Sequence, residues 1–212
     1  MIEIILVRHG ETDWNVERRI QGHCDIPLNR EGERQAAALG KELASEALDA
    51  VISSDLRRAM QTAQAIAAPH GLSVKTDCEL RERRFGAFEG LTHEEIRDRY
   101  PEHYSSWRMR AVDAHFAPAR LAAETLREFS LRVVNAVVRA ASGDFHRLAI
   151  VTHGGVLDCL YRAACDMDLA APRNFDITNA GINRLAWDGS RFHLLQWGMD
   201  AHLGMTALDE IR

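Results

Sequence analysis

Short apolar runs alternate along the chain with longer segments in which apolar residues recur at helical spacing. The runs IEIILV, LDAVISS and RLAIVT, at 2–7, 48–54 and 147–152, are rich in β-branched residues. Such runs are typical of strands that are buried on both faces of a sheet. The pattern therefore predicts at least three strands with helices between them.

Helix signals lie in the intervening segments. Asn29 is a suitable N-cap for a helix whose apolar positions follow from Ala36 onward. The stretch SDLRRAMQTAQAIAA at 54–68 predicts a helix that ends before Pro69, with Ser53 and Ser54 at the capping position.

Two further helices are predicted by capping boxes, in which a Thr is followed three residues later by Glu. Thr92 with Glu95 opens a helix that ends near Tyr100, and Thr125 with Glu128 opens one with a broad apolar stripe. The region from Leu80 to Ala123 is otherwise the least regular part of the pattern.

The carboxyl-terminal region predicts a β-hairpin. INRLAW and RFHLLQW, two runs with strand character, flank the turn-forming sequence Asp188-Gly189-Ser190. Strands that alternate with helices, followed by a hairpin, indicate an α/β sandwich with a mixed sheet. We expect one domain over residues 1–212, because no linker, repeat or low-complexity segment interrupts the pattern.

Composition and charge limit the classes of partner that the protein is expected to bind. Of 212 residues, 46% are hydrophobic and 27% charged, which suits a sizeable core, and the formal net charge of -5 argues against nucleic acid as the main partner. No apolar stretch approaches the roughly 20 residues of a membrane span, so we expect no membrane partner. The cysteines form no C-x-x-C pair, and the start is a poor signal peptide; both favour reduced thiols in a cytoplasmic protein.

Two predicted strands end in the same way. IILVRHG and LAIVTHGG each close an apolar run with histidine and glycine. Ligands bind at the carboxyl ends of strands in open α/β sheets, so we expect His9 and His153 to converge there. Gly154 and Gly155 would let an anion approach the amino terminus of the following helix.

Two arginine-bearing segments add to this edge. Arg57 and Arg58 fall in the first turn of a predicted helix, where the dipole disfavours cations, so one of them should have an anionic partner in the crevice. We expect the other, Arg57, to be exposed. Glu82 lies in the charge run RERR, which composition alone would assign to a solvated face.

Taken in order, RHGET-x-WN, the S-x-L-x-R-A of SDLRRA, the glutamate of LRE and V-x-HGG resemble the motifs of the histidine phosphatase superfamily, also called the phosphoglycerate mutase-like family. The resemblance covers essentially the whole chain. It implies a three-layer α/β/α sandwich with a mostly parallel mixed sheet, in which 83–123 caps the active site. It also implies catalysis without a metal ion or other cofactor.

The resemblance assigns a role to each matching residue. His9 would be the nucleophile that accepts a phosphoryl group, and Glu82 would donate a proton to the leaving oxygen. The remaining site residues would hold the phosphate: Arg8, Asn15, Arg58, His153 and Gly154. Two places depart from the family pattern, since AAET at 122–125 replaces G-E-S and Gly181 replaces a serine. Both lie outside the core motifs and bear on substrate contacts.

These residue types suit phosphoryl transfer. A histidine attacks phosphorus as the neutral imidazole, and nearby guanidinium groups disfavour its protonation. The same guanidinium groups bind phosphate oxygens through forked, charge-assisted hydrogen bonds. Arginines can thereby supply the positive charge that magnesium supplies in kinases, and Gly10 would leave room for the substrate.

The resemblance favours a phosphatase acting on a small phosphorylated metabolite, because RRFGAFEGLTHEEI after Glu82 looks like the phosphatase branches. A phosphoglycerate mutase, primed by a bisphosphoglycerate, is the alternative. Four arginines are candidates for binding a second anionic group: Arg83, Arg84, Arg108 and Arg110. Trp107, Arg108, His115 and Phe116 are candidate substrate contacts, although core packing explains Trp107 and Phe116 slightly better.

Two other classes of protein are weaker hypotheses. A noncatalytic module that binds phosphorylated ligands would be expected to lack the nucleophile or the acid, and both are present here. A metallohydrolase would need ligand spacing, but HEEI at His93 is not H-E-x-x-H.

Overall fold

The computed structural model describes residues 1–116 and 122–206. The strands of this part of the chain are β1 (Ile2–Arg8), β2 (Ala50–Ser53), β3 (Val74–Thr76), β4 (Arg147–Thr152), β5 (Ile182–Trp187) and β6 (Phe192–Met199). The α-helices are α1 (Asp13–Val16), α2 (Arg30–Leu43), α3 (Arg57–Ala67), α4 (His93–Arg99), α5 (Pro101–Arg108), α6 (Leu126–Ala140) and α7 (Gly154–Ala164). Short 3₁₀ helices cover Ala68–His70, Cys78–Leu80, Gly86–Phe88 and Ala201–Thr206.

The strands form one mixed sheet in the order β3-β2-β4-β1-β5-β6. The four strands from β3 to β1 are parallel, whereas β5 runs antiparallel to β1 and pairs with β6 as the predicted hairpin. The register aligns Arg8 of β1 with Thr152 of β4. The two histidine motifs therefore leave the sheet side by side.

Helices cover both faces of the sheet. Alternate residues of β1 point to opposite sides: Ile4 and Leu6 pack into a cluster with residues of α6 and α7, and Ile5 and Val7 pack into one with residues of α2 and α3. This arrangement confirms the predicted α/β/α sandwich. Burial on both faces explains why the central strands read as continuous apolar runs.

The predicted helix starts are mostly confirmed. Asn29 caps α2 by accepting from Gly32, and both Thr-Glu pairs form complete capping boxes. The helix α3 is present and ends before Pro69 as predicted, but its predicted serine cap is wrong, because the helix begins at Arg57 with Leu56 as an N-cap that provides no side-chain hydrogen bond. The hydroxyl group of Ser54 instead forms a hydrogen bond with Nε2 of His153.

Three elements were not predicted from the pattern: α1, β3 and α5. Each is short. Only Tyr100, the C-cap of α4, separates that helix from Pro101, the first residue of α5. Together α4 and α5 pack around a small cluster that contains Ile96 and Phe116. Part of the predicted cap, residues 117–121, lies outside the described residues.

Among the described residues, none of the helices combines the length and apolar character needed to cross a bilayer.

Candidate active site

The carboxyl ends of β1 and β4 bring two histidines together. The backbone N–H of His9 donates to the carbonyl of Thr152 at 2.9 Å, and the ring centroids of His9 and His153 are 5.2 Å apart. Both side chains are buried, at 3% and 0% exposed. The two motifs, far apart in sequence, thus meet at one edge of the sheet.

The tautomer of His9 is fixed by its own backbone. Nδ1 lies 2.7 Å from the carbonyl oxygen of Gly10. Since a carbonyl only accepts, Nδ1 must carry the proton. The neutral ring then has its lone pair on Nε2, which makes no hydrogen bond to another described residue and belongs to a ring that lines a small cavity.

The surroundings of His9 keep it uncharged. Burial lowers the pKa of His9 well below its usual value, and the guanidinium groups of Arg58 and Arg8 lower it further. The hydrogen bond to Gly10 opposes this shift without overcoming it. The structure therefore presents a neutral imidazole at neutral pH, the form that can act as a nucleophile.

Two buried arginines stand in the wall of the same cavity. Arg8 donates from Nη1 to the carbonyl of Ile177 at 2.8 Å. Arg58 donates to the carbonyls of Gly22 and Cys24, also at 2.8 Å each. These hydrogen bonds hold the guanidinium groups in place. As predicted, Arg57 is exposed and Arg58 is buried.

His153 lies behind His9 rather than in the wall of the cavity. Its Nε2 is 2.8 Å from the hydroxyl of Ser54, and Nδ1 has no hydrogen-bond partner among the described residues. Burial, followed by the charge of Arg58, lowers the pKa of His153 well below its usual value.

Glu82 lies in a loop and lines the same small cavity as His9. Its two carboxylate oxygens accept the backbone N–H groups of Arg83 at 2.7 Å and of Gly155 at 2.9 Å. The carboxylate therefore occupies the amino terminus of α7, where the helix dipole favours negative charge. We expected a bound ligand anion at this helix terminus. In the structure, the N–H group of Gly155 donates instead to Glu82 of the protein itself.

At two glycines, packing within the protein rather than room for a ligand excludes a side chain. A Cβ on Gly10 would lie 2.6 Å from the carbonyl oxygen of Gly32, so the backbone of α2, not the substrate, excludes a side chain. A Cβ on Gly155 would lie 2.3 Å from Oε1 of Glu82. Both positions reflect close packing within the protein.

The other predicted phosphate-binding residues border the site. Asn15 lines the small cavity, and its Oδ1 accepts from the N–H and hydroxyl groups of Thr12, which leaves the Nδ2 donor for a ligand. Gly154 is the first residue of α7 and lines a neighbouring, larger cavity.

The loop that carries Glu82 is held by residues that the sequence analysis missed. Arg132 forms a bidentate pair with Glu124 at 2.6 and 2.8 Å, and its guanidinium also donates to the carbonyls of residues 79, 81 and 82. His23 lies 2.8 Å from the carbonyl of Glu82 through Nε2. Glu124 stands in the AAET motif, which was the one available signal.

The charge run at 81–84 is not a solvated face. Glu82 and Arg83 are 8% and 5% exposed, and Arg81 pairs with Asp55 at 2.6 Å. Composition was misleading because it cannot show which side of a charged loop turns inward.

Two cavities meet at the site, of about 70 and 330 Å³. The smaller contains the arginines and His9. The larger extends beneath α5. Four residues line both: Glu82, Phe85, His93 and Trp107. Arg108 lines only the larger one, whereas Phe116 is buried in the α4–α5 cluster and His115 is exposed.

No group of three or more His, Cys, Asp or Glu side chains in the described residues is arranged to hold a metal ion.

Comparison with known proteins gives the same family as the motifs. The model of the histidine phosphatase superfamily (branch 1) matches residues 4–200. Phosphoglycerate mutase-like protein 4 of Arabidopsis thaliana is 40% identical over 211 residues, which cover 96% of this chain and 88% of that protein.

Solved structures show the same fold. YhfR of Bacillus stearothermophilus superposes with a TM-score of 0.85 at 33% identity, covering 96% of this chain and 100% of that one. The α-ribazole phosphatase of Shigella flexneri gives 0.82 at 28% identity, with 93% and 96% covered. From its motifs, its fold and these similarities, the chain belongs to branch 1 of the histidine phosphatase superfamily.

Proposed function

We propose that the protein is a phosphomonoester hydrolase that acts on a small phosphorylated metabolite through a phosphohistidine at His9, without a metal ion. The observation that carries the proposal is the state of His9. Its proton is fixed on Nδ1, its positive form is disfavoured, and its ring faces a cavity whose wall includes the buried Arg8 and Arg58. A phosphatase among the similar structures supports the same chemistry.

In the first step, the Nε2 lone pair of His9 would form a bond to phosphorus as the bond to the alcohol oxygen breaks. The electron pair of that bond goes to the leaving oxygen, which takes a proton from Glu82. Arg8 and Arg58 would bind the non-bridging oxygens, where charge must be stabilised during transfer. A substrate phosphate brings negative charge beside Glu82, and like charges favour the protonated form of a carboxyl group.

In the second step, water would attack phosphorus as the N–P bond breaks and its electron pair returns to Nε2. Glu82, now a carboxylate, takes the proton from the water. General acid–base catalysis of this kind contributes about 10²–10⁴-fold. The hydrogen bonds from Arg83 and Gly155 orient the carboxylate for both steps.

A mutase remains the second candidate, supported by the name of the Arabidopsis relative and by the several arginines of the larger cavity. The phosphohistidine would then return its phosphoryl group to another hydroxyl of a phosphorylated acid, after priming by a bisphosphoglycerate. Assays of 3-phosphoglycerate isomerisation and of hydrolysis of a phosphomonoester panel separate the two reactions.

The proposal is tested with three variants. His9→Ala should abolish both turnover and acid-labile phosphate labelling, and Arg58→Ala should lower kcat/KM by at least about 10²-fold. Arg57→Ala, which removes the exposed neighbour, should leave activity unchanged. Activity should also persist in EDTA. Undiminished turnover by His9→Ala would refute the nucleophile assignment.

A further inference from the structure

The larger cavity is placed to receive the alcohol part of a substrate. It shares Glu82 with the smaller cavity, so a phosphate held beside His9 would direct its leaving group past this carboxylate. Its volume of about 330 Å³ is at the lower end of the range for small-molecule sites. Under the proposed function, the residues of this cavity therefore select the substrate.

Among the residues that line the larger cavity, Arg83 is unusual because its guanidinium is buried without an ion pair to any described residue. The side chain is 5% exposed. Nε and Nη2 donate to a single carbonyl, that of Glu124, at 3.0 and 2.8 Å, and the guanidinium lies 4.5 Å from the centroid of Phe116 and 5.6 Å from that of Phe85. Nη1 makes no hydrogen bond, and the guanidinium no ion pair, with any other described residue.

A buried cation of this kind is costly without an anion. Burial lowers the pKa of Arg83 to about 10, which still leaves the guanidinium charged at neutral pH. Removing a charge from water is energetically unfavourable, and a carbonyl and two aromatic rings compensate for this loss of hydration only in part. Groups retained in such positions cluster at functional sites.

No acidic side chain among the described residues forms an ion pair with Arg83, and the carboxylate of Glu124, whose charge favours the guanidinium, is paired with Arg132 at 2.6 Å. Asp158 also lines the cavity, but one of its oxygens accepts from Arg110 at 2.6 Å and from Arg162 at 3.0 Å. Glu82 is held by two N–H groups and is assigned to proton transfer. Four arginines and two acidic side chains line the cavity. The cavity is therefore cationic overall.

The apolar part of the wall consists of Phe85, Trp107, Leu126, Phe129 and Pro172. We propose that Arg83 is the centre of a second anion-binding subsite. The substrates would be phosphomonoesters whose alcohol has a compact apolar or planar body and ends in a carboxylate or a second phosphate. This inference rests on the proposed function for the placement of the alcohol.

Binding of stable phosphonates tests the subsite without requiring turnover. The matched probes are 4-carboxybenzylphosphonate and 4-carbamoylbenzylphosphonate, which differ in charge but hardly in shape; 1,4-xylylenediphosphonate represents a second phosphate. Calorimetry on the wild-type protein should give a Kd about tenfold or more lower for an anionic probe than for the carboxamide. Which anionic probe binds more tightly identifies the group.

The matched variants are Arg83→Gln and Arg84→Gln, since Arg84 is adjacent but does not line the cavity. Arg83→Gln should bring the Kd ratio close to one by weakening only the anionic probe, and Arg84→Gln should preserve the ratio. Equal affinity of the wild-type protein for all three probes would overturn the subsite, whether or not Arg83→Gln folds. Equal weakening of every probe by Arg83→Gln would assign it a structural role instead. Preference for an anionic probe without hydrolysis of any phosphomonoester would retain the subsite and reject the hydrolase.

Discussion

At the scale of single residues, Gly155 shows how closely the acid is held. Its N–H group binds one oxygen of Glu82, and an added Cβ would lie 2.3 Å from the other oxygen and 3.0 Å from a ring carbon of Phe129. The position therefore both orients the carboxylate and excludes any side chain. Under the proposed mechanism, a substitution here would act on catalysis through Glu82.

Gly155→Ala should lower kcat by about 10²-fold, because Glu82 must move away from the leaving oxygen. The protein should stay folded, since alanine has the higher helix propensity by about 1 kcal/mol. Steady-state kinetics with an alkyl phosphate, beside a thermal melt, measure the two effects.

A double-mutant cycle provides the control. In a Glu82→Ala background the clash of the added Cβ with the carboxylate is gone and only the 3.0 Å contact with Phe129 remains, so Gly155→Ala should cause little additional loss of kcat. If the two losses were simply multiplicative, the effect of Gly155 would not run through Glu82.

The protonation of His9 gives a second prediction at this scale. NMR titration of the ligand-free protein should give a pKa for His9 well below 6.5, because burial and two guanidinium groups disfavour the imidazolium ion. Arg58→Gln removes one of these charges and should raise the pKa of His9, though not to 6.5, since burial is the larger cause. Arg57→Gln is the control and should leave the titration unchanged; a downward shift in Arg58→Gln would contradict the assignment.

At the scale of elements, four charged side chains join the strands at the end of the sheet away from the site. Glu3 of β1 contacts Arg147 of β4 and Arg184 of β5, each at 2.7 Å. Both arginines also contact Glu46, at 2.8 and 2.7 Å, so the pairs form a closed network. This network connects three strands to the segment that follows α2.

Glu3 makes the stability of the protein depend on pH. Burial alone would raise the pKa of Glu3, but hydrogen bonds and charge from Arg184 and Arg147 outweigh it, so the net pKa is below 4.5. The pKa of Glu3 is lower in the folded protein than in the unfolded chain, so the ionised carboxylate stabilises the fold. This stabilisation is complete at pH values above the pKa of the unfolded state and is lost as the pH falls through the pKa of the folded state.

Glu3→Gln should therefore lower the free energy of unfolding at pH 7 by about 1 kcal/mol, a modest amount because the pairs are partly solvated. The difference from the wild-type protein should shrink below about pH 4.5. Urea unfolding between pH 7 and pH 3 measures it. A difference that stayed constant over this range would show that the carboxylate charge is not responsible.

At the scale of the whole molecule, the sequence predicted what depends on local pattern. The buried strands, the hairpin at Asp188 and the capping boxes of α4 and α6 are encoded by residues a few positions apart, and all are present. The convergence of His9 and His153 followed from a general property of parallel sheets.

What escaped prediction depends on contacts between distant segments. The burial of Arg83 results from packing against Phe116, and the role of Gly155 results from the approach of Glu82. The short elements α1, β3 and α5 have too few residues for a periodic signal. No local pattern could show that an arginine-rich loop turns towards the interior.

The unequal cavities on either side of Glu82 imply an order of departure. Under the proposed hydrolase reaction, an alcohol released into the larger cavity would leave while phosphorus is still bonded to the imidazole, whereas orthophosphate would form later in the smaller cavity beside Arg8 and Arg58. For a hydrolase working in this sequence, orthophosphate is the last product out and competes with substrate for the empty enzyme. Accumulated orthophosphate would then inhibit turnover by competing with substrate, whereas the alcohol would not.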